Sequence, residues 1–101
     1  PTIKELKAMS ADRGKVRIEA QAADGVSSLG VAEFSVSGGP WLMLPAADGL
    51  IDARAEKLEA DLVANDGPGA PKIEKGRQTV LVRVEDEAGN SATASTFLDV
   101  R

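Results

Sequence analysis

The sequence predicts an all-β sandwich of about seven antiparallel strands. Short runs of alternating apolar and polar residues are spread along the chain, and turn signals recur between them. The pattern of residues 55–64 suits a helix as well as a strand. With 101 residues, the chain has the length of one domain with one hydrophobic core, so we expect a single domain over residues 1–101.

The clearest predicted element is a hairpin over residues 79–94. Valines at alternate positions of 80–84 place one row of side chains on each face of a strand. Glu87–Asn90 supplies the turn, because Gly89 can adopt a positive φ without steric cost. The chain then continues as a Ser/Thr/Ala-rich strand to Val100. The pattern leaves open which face of that strand is buried; a bulge near Phe97 would turn both Phe97 and Val100 inward.

The first half of the chain predicts four further strands. Residues 1–9 form the first, with Ile3 and Leu6 touching the core, although Lys and Glu there also suit a helix. In the second strand the inward side chains are Val16, Ile18, Ala20 and Ala22. The third covers 31–36, and Ser37–Pro40 turns it into a short strand over 41–44, because Gly-Gly permits positive φ.

Residues 55–64 are ambiguous. Their Ala, Glu, Lys and Leu content favours a helix, and Leu58 and Leu62 would share one helix face. The same leucines alternate with acidic residues as in a strand. We expect a strand, because every other element is one. The flanking segments, 45–54 and 65–76, are predicted loops, and the second is the expected site of proteolysis because it is long and rich in Gly and Pro.

Composition argues against several functions. The net charge of −4 disfavours nucleic acid and anionic membrane surfaces, which require basic patches. Histidine, cysteine and tyrosine are absent, so Ser-His and Cys-His nucleophile pairs cannot form within the chain. We therefore expect no enzyme activity, no cofactor, no disulfide and no membrane insertion. The chain starts at Pro1 without Met, and we interpret it as a mature product or a fragment of a longer protein.

Two further kinds of site are conceivable. Asp86 and Asn90 flank the hairpin turn, and Asp24, Asp48 and Asp52 lie in loops, where their oxygens would suit calcium. We favour a structural role instead, in which Asp86 accepts hydrogen bonds from N–H groups of its own turn. The other kind is strand addition at an exposed edge, although charges on residues 57–61 look like edge protection.

Trp41 is the candidate ligand-binding residue. It is the only Trp, it follows a Gly-Gly-Pro turn that would display it, and a flat aromatic ring can stack on a sugar. More often a lone Trp in such a domain packs over the core with its N–H hydrogen-bonded. The sequence therefore keeps carbohydrate binding through Trp41 as the alternative function.

Three motifs resemble those of bacterial immunoglobulin-like or fibronectin type III-like modules. Glu33–Trp41 resembles their E-Y-S-x-D-G-G-x-W hairpin, and Asp48–Asp52 is similar to the D-G-x-x-D loop after it. Gly76–Asn90 is similar to their closing hairpin, G-x-H-T-I-x-V-R-A-x-D-x-A-G-N. The motifs occur in the family's order. They differ from it at Phe34, Ser37 and Gln78, where the family often has Tyr, Asp and His.

The resemblance implies that the sandwich is of the immunoglobulin-like (fibronectin III-like) type. It also implies a non-catalytic accessory module of a larger secreted, surface or periplasmic bacterial protein. Such a module would act as a spacer or dock against neighbouring domains of the same parent protein, and we expect it to be a monomer in isolation. A third hypothesis is a subdomain that completes the active site of an adjacent enzyme through the loops 45–54 or 65–76.

Overall fold

The computed structural model describes residues 1–47, 49, 54–65 and 72–100, and within them it contains seven β-strands. A single 3₁₀ turn over Asp12–Gly14 is the only helical element of these residues. The strands are β1 Thr2–Ser10, β2 Lys15–Ala23, β3 Leu29–Val36, β4 Leu42–Met43, β5 Ala55–Val63, β6 Gly76–Asp86 and β7 Ser91–Val100. The predicted all-β class and the strand count are confirmed.

The strands form two antiparallel sheets. One has three strands in the order β1-β2-β5, and the other has four in the order β4-β3-β6-β7. Apolar side chains from the two inner faces meet between the sheets, where Ile18, Leu58 and Val82 are fully buried. The fold is thus an all-β sandwich, in which alternation along each strand separates the core from the solvent face.

A β-bulge in β1 places Ile3 and Leu6 on the same face. These residues are three positions apart, so a regular strand would point them to opposite sides. Pairing between β1 and β2 shifts register between Lys4 and Lys7, and Glu5 adopts φ 52°. The bulge absorbs one residue, and both apolar side chains pack against the core as predicted.

The inward face of β7 is the one that carries Leu98. Pairing between β6 and β7 runs without interruption from Gly76–Val100 to Glu85–Ser91, so a bulge near Phe97 does not form. Leu98 is fully buried, whereas Phe97 is 59% exposed on the outer face. The positive φ values of the β3–β4 turn also differ from expectation: Ser37 (52°) and Gly38 (74°) carry them, not Gly38 and Gly39.

β5 confirms the strand predicted for residues 55–64, because it pairs with β2 along its whole length. Its outer edge is partly covered by the chain that crosses between the sheets. Ala47 N–H donates to Lys57 O at 2.8 Å, and Glu59 N–H donates to Pro45 O at 3.0 Å. Edge protection in this region therefore comes from backbone pairing as well as from charge.

Much of the two predicted loops lies outside the described residues, including Asp48, Asp52 and 66–71. Their described ends are fixed by hydrogen bonds. The Asn65 side chain donates to Ile73 O at 3.0 Å and accepts from Ile73 N–H at 3.1 Å, and Ile73 is buried. The expected proteolysis of this loop stays a prediction.

The molecule has two poles, at opposite ends of the strands. The upper pole comprises residues 1–2, 23–29, 54–56 and 85–91, where β1 begins and β2 ends. The lower pole comprises residues 10–15, 63–65, 72–77 and 98–100, where β7 ends. These groupings follow from the strand registers. The body measures 40 × 21 × 19 Å, and strands of nine to eleven residues at about 3.3 Å per residue account for its length. Within the described part of the chain, no helix is long and apolar enough to cross a membrane.

Candidate functional site

Trp41 lies on the outer face of the four-stranded sheet, immediately before the edge strand β4. The pairs Glu33–Met43 and Phe34–Leu42 fix the register of this edge. Extending that register places Trp41 beside Ser35, on the side of the sheet away from the core. Trp41 is 37% exposed and is not part of the buried cluster. The more common role of a lone Trp, packing over the core, is therefore not the one it has here.

Arg83 covers one face of the Trp41 ring. Its guanidinium carbon lies 4.4 Å from the ring centroid, in cation–π geometry. Arg83 reaches this position from β6, two strands away from Trp41, and the carboxylate of Glu33 on the intervening strand accepts a hydrogen bond from it at 2.8 Å. A ligand can therefore stack only on the opposite face of the indole, and it can also contact the indole edge.

Ser35 links this ring to the preceding turn. It is buried although its position in β3 directs it to the outer face, and its hydroxyl donates to Gly39 O at 2.8 Å. Gly39 N–H in turn donates to Val36 O at 2.9 Å. The turn before Trp41 is thereby tied to the strand, which holds the start of β4 in place.

A second aromatic stack lies at the opposite edge of the same face. Arg77 sits 5.0 Å from the centroid of the Phe97 ring, and its Nε donates to Asp99 at 3.4 Å. Alternation in the sequence did not predict this stack, because it does not specify the inward face of β7. Counting residue pairs outward from the turn at Gly89 would have placed Phe97 opposite Thr79, next to Arg77.

Exposed apolar side chains extend the outer face around Trp41. Met43 is 77% exposed and Val31 51% exposed, and both belong to the two strands nearest Trp41. Glu33 and Arg83 form an ion pair beside them, and Glu85 lies opposite Val31. This face therefore combines exposed apolar side chains with a few charges.

The upper pole holds two carboxylates, Asp86 and Asp24, that hydrogen bonds fix in place. Asp86 accepts hydrogen bonds from N–H groups of its own turn, as predicted. Its Oδ1 accepts from Ala88 N–H at 3.0 Å and from Asn90 N–H at 2.8 Å. Its Oδ2 accepts from the Ser27 hydroxyl at 3.1 Å and from the Asn90 side chain at 3.2 Å. All these donors come from protein, so the carboxylate stabilises its own turn and joins it to the β2–β3 loop.

Asp24 is the neighbouring carboxylate. Hydrogen bonds from Ser27 N–H at 3.0 Å and Val26 N–H at 2.9 Å hold the pKa of Asp24 well below its usual value, against the opposing effect of burial. The amino group of Pro1 lies 3.2 Å from Asp24 Oδ2 and favours the same charged form. Among the described residues, no cluster of three or more Asp, Glu, His or Cys could hold a metal ion.

The outer face of the three-stranded sheet carries an ion-pair network and a groove. Arg17 contacts Asp61 and Glu59, each at 2.7 Å, and its hydrogen bond with Asp61 is the main reason why the pKa of Arg17 is raised. Next to it, a groove of about 570 Å³ opens at the lower pole, with Met9, Ala11 and Val63 among its lining residues. Its walls are mostly apolar side chains.

Comparison of the chain with protein-family models and with curated proteins finds no match.

Proposed function

We propose that this chain is a non-catalytic accessory module of a larger secreted or surface bacterial protein, acting as a spacer or interdomain docking unit. The observation that carries the proposal is the path of the chain, which begins at the upper pole and reaches Val100 at the lower pole of a body 40 Å long. A module of this kind holds its two neighbouring domains apart by its full length.

The strand order supports a relation to immunoglobulin-like and fibronectin type III-like modules. Lettered in chain order as A, B, C, C′, E, F and G, the strands give sheets A-B-E and C′-C-F-G. This order is compatible with the immunoglobulin arrangement, in which A, B and E share one sheet and C, F and G the other. The resemblance of the two hairpin motifs supports the same relation. The absence of His and Cys from the sequence supports the non-catalytic role.

The spacer role is tested with two copies of the chain fused directly, Arg101 to Pro1, and studied by small-angle X-ray scattering. We expect a rod whose maximum dimension is close to twice the 40 Å of one copy. A matched fusion with a flexible Gly/Ser linker should give a broader distribution of lengths. A direct fusion that folds back to the length of one copy would contradict the spacer role.

Carbohydrate binding through Trp41 is the second candidate, and the exposure of the indole beside other exposed apolar side chains favours it. The position of Arg83 over one ring face limits it to stacking on the other. Titration with a panel of soluble polysaccharides tests it, followed by isothermal titration calorimetry in every variant and by Trp41 fluorescence in those that keep the indole. Binding that is lost in Trp41→Ala and retained in Phe97→Ala would establish this function, and no response to any glycan would exclude it for the panel. The third hypothesis, completion of a neighbouring active site, depends on loops that lie largely outside the described residues.

A further inference from the structure

Charge is unevenly distributed between the two poles. Among the described residues, the upper pole has an excess of carboxylates and the lower pole an excess of cations. At the upper pole the carboxylates are Asp24, Glu56, Glu85, Asp86 and Glu87, against the cations Arg54 and the amino group of Pro1. At the lower pole the cations are Arg13, Lys15, Lys72, Lys75 and Arg77, against the carboxylates Asp12, Glu74 and Asp99. The described residues therefore carry a charge dipole along the long axis of the body.

Each pole also presents apolar surface next to its charges. Val26, in the loop between β2 and β3, is 85% exposed at the upper pole. At the lower pole the groove of about 570 Å³ has Met9 and Val63 on its walls, 43% and 40% exposed, and the cation Lys15 at its rim. An acidic pole with an apolar projection thus complements a basic pole with an apolar groove.

We propose that modules of this kind dock head to tail, with the acidic upper pole of one copy against the basic lower pole of the next and Val26 in the groove. A second copy is the occupant that the charges favour, because it matches both poles at once. Side-by-side association of two chains, each with net charge −4, would be repulsive. The contact joins two different surfaces, so it repeats into an open row instead of a closed dimer.

This inference deepens the proposed spacer function and rests on it for its biological setting, because modules in one chain meet at high effective concentration. The contact would then stiffen a row of modules. Between separate chains we expect it to be weak, so that the chain is monomeric when dilute and associates only when concentrated at low ionic strength.

The test uses unfused chain, studied by small-angle scattering from micromolar to millimolar concentration at low and high salt. We expect the apparent mass to rise with concentration at low salt, the maximum dimension to grow in steps near 40 Å, and both effects to vanish at high salt. Val26→Ser should raise the dissociation constant by about tenfold, because the contact no longer buries the side chain of Val26 in the groove. A wild-type chain that stays monomeric at millimolar concentration and low salt would overturn the inference.

Charge-reversal variants identify the surfaces involved. Lys72→Glu with Lys75→Glu makes both poles acidic, and Glu85→Lys with Glu87→Lys makes both poles basic. Neither variant should associate alone, and an equimolar mixture of the two should. Lys4→Glu with Lys7→Glu, which reverses two exposed cations of β1 outside both poles, is the control and should associate nearly as the wild type does.

Docking through the poles would be contradicted if the control variant lost association as fully as the two pole variants do. It would also be contradicted if the mixture of the two pole variants did not associate. Failure of docking and failure of the spacer role are distinguishable. A monomeric wild type whose direct fusion is still a rod would leave the spacer role intact, whereas a fusion that folds back would remove it whatever the unfused chains do.

Discussion

Asp86 shows how one buried side chain can fix a turn. Four donors converge on its carboxylate: two N–H groups of its own turn, the Asn90 amide and the Ser27 hydroxyl. In Asp86→Ala these donors lose their acceptor, and we expect the free energy of unfolding to fall by about 3 kcal/mol. The reason is that losing hydrogen bonds to a charged group and leaving buried donors unpaired each destabilise a fold by this order. Urea denaturation followed by circular dichroism measures it. Glu87→Ala, an exposed carboxylate of the same turn, is the control and should change the unfolding free energy by less than about 0.5 kcal/mol. Equal losses in the two variants would contradict the role of Asp86.

Asp24 makes the free energy of unfolding depend on pH in the acidic range. Its pKa is lower in the folded protein than in the unfolded chain, so it stabilises the fold above the unfolded pKa of about 4 and loses this contribution as the pH falls below that value. We expect the urea midpoint to drop between about pH 4 and pH 2. In Asp24→Asn, which cannot titrate, the drop should be smaller, and identical pH profiles would show that Asp24 is not responsible.

Whether a contact of a single residue could be predicted from the sequence depends on how far apart its partners lie in the chain. The role of Asp86 was predictable because the N–H donors of its turn lie within four residues of it. The surroundings of Trp41 were not, because Arg83 reaches it from a strand two positions away in the sheet. Neither the alternation in 80–84 nor the turn at 37–40 specifies the register between those strands, since β3 and β6 are far apart in the chain.

At the scale of elements, the β1–β2 connection is held against the end of β5. Gly14 adopts φ 74°, its carbonyl accepts from Ala64 N–H at 2.8 Å, and a Cβ added to it would lie 3.0 Å from Ala64 O. Gly14→Ala should therefore lower the free energy of unfolding by about 1–3 kcal/mol through strain and the close approach. Gly25→Ala is the matched control, because nothing lies within 4 Å of its added Cβ and its φ is not positive. Thermal denaturation of the two variants compares them, and equal melting temperatures would exclude strain at Gly14.

Elements differed in how well sequence alone defined them. The strictly alternating strand β2 was predicted to within one residue of its observed ends, whereas β6 begins at Gly76, three residues before the predicted start at 79. β5 had to be inferred from context, and its pairing with β2 over nine residue pairs explains why strand prevails over helix propensity. The bulge at Glu5 left no signal of its own, because the residue that adopts positive φ there is not Gly or Asn.

At the scale of the whole molecule, both sheets depend on one core. The sequence indicated a sandwich, since alternating strands separated by turns need a second sheet to cover their apolar face. The polarity of charge and the separation of the chain ends follow from strand order and direction, which depend on long-range pairing. Local patterns alone do not specify these features, although both proposals about function rely on them.

The shared core makes a test of the fold possible with one substitution. Val82 is fully buried in β6, between β3 and β7, and its side chain faces the other sheet. Val82→Asp places an unpaired charge there, at a cost that exceeds the stability of a typical domain of this size. We expect both sheets to unfold together, with loss of β-sheet circular dichroism and of any cooperative urea transition. Glu59→Ala, a partly exposed carboxylate in the ion-pair network of Arg17, should keep the transition and shift its free energy by only about 0.5 kcal/mol. A cooperative transition in Val82→Asp would mean that the two sheets do not close over this side chain.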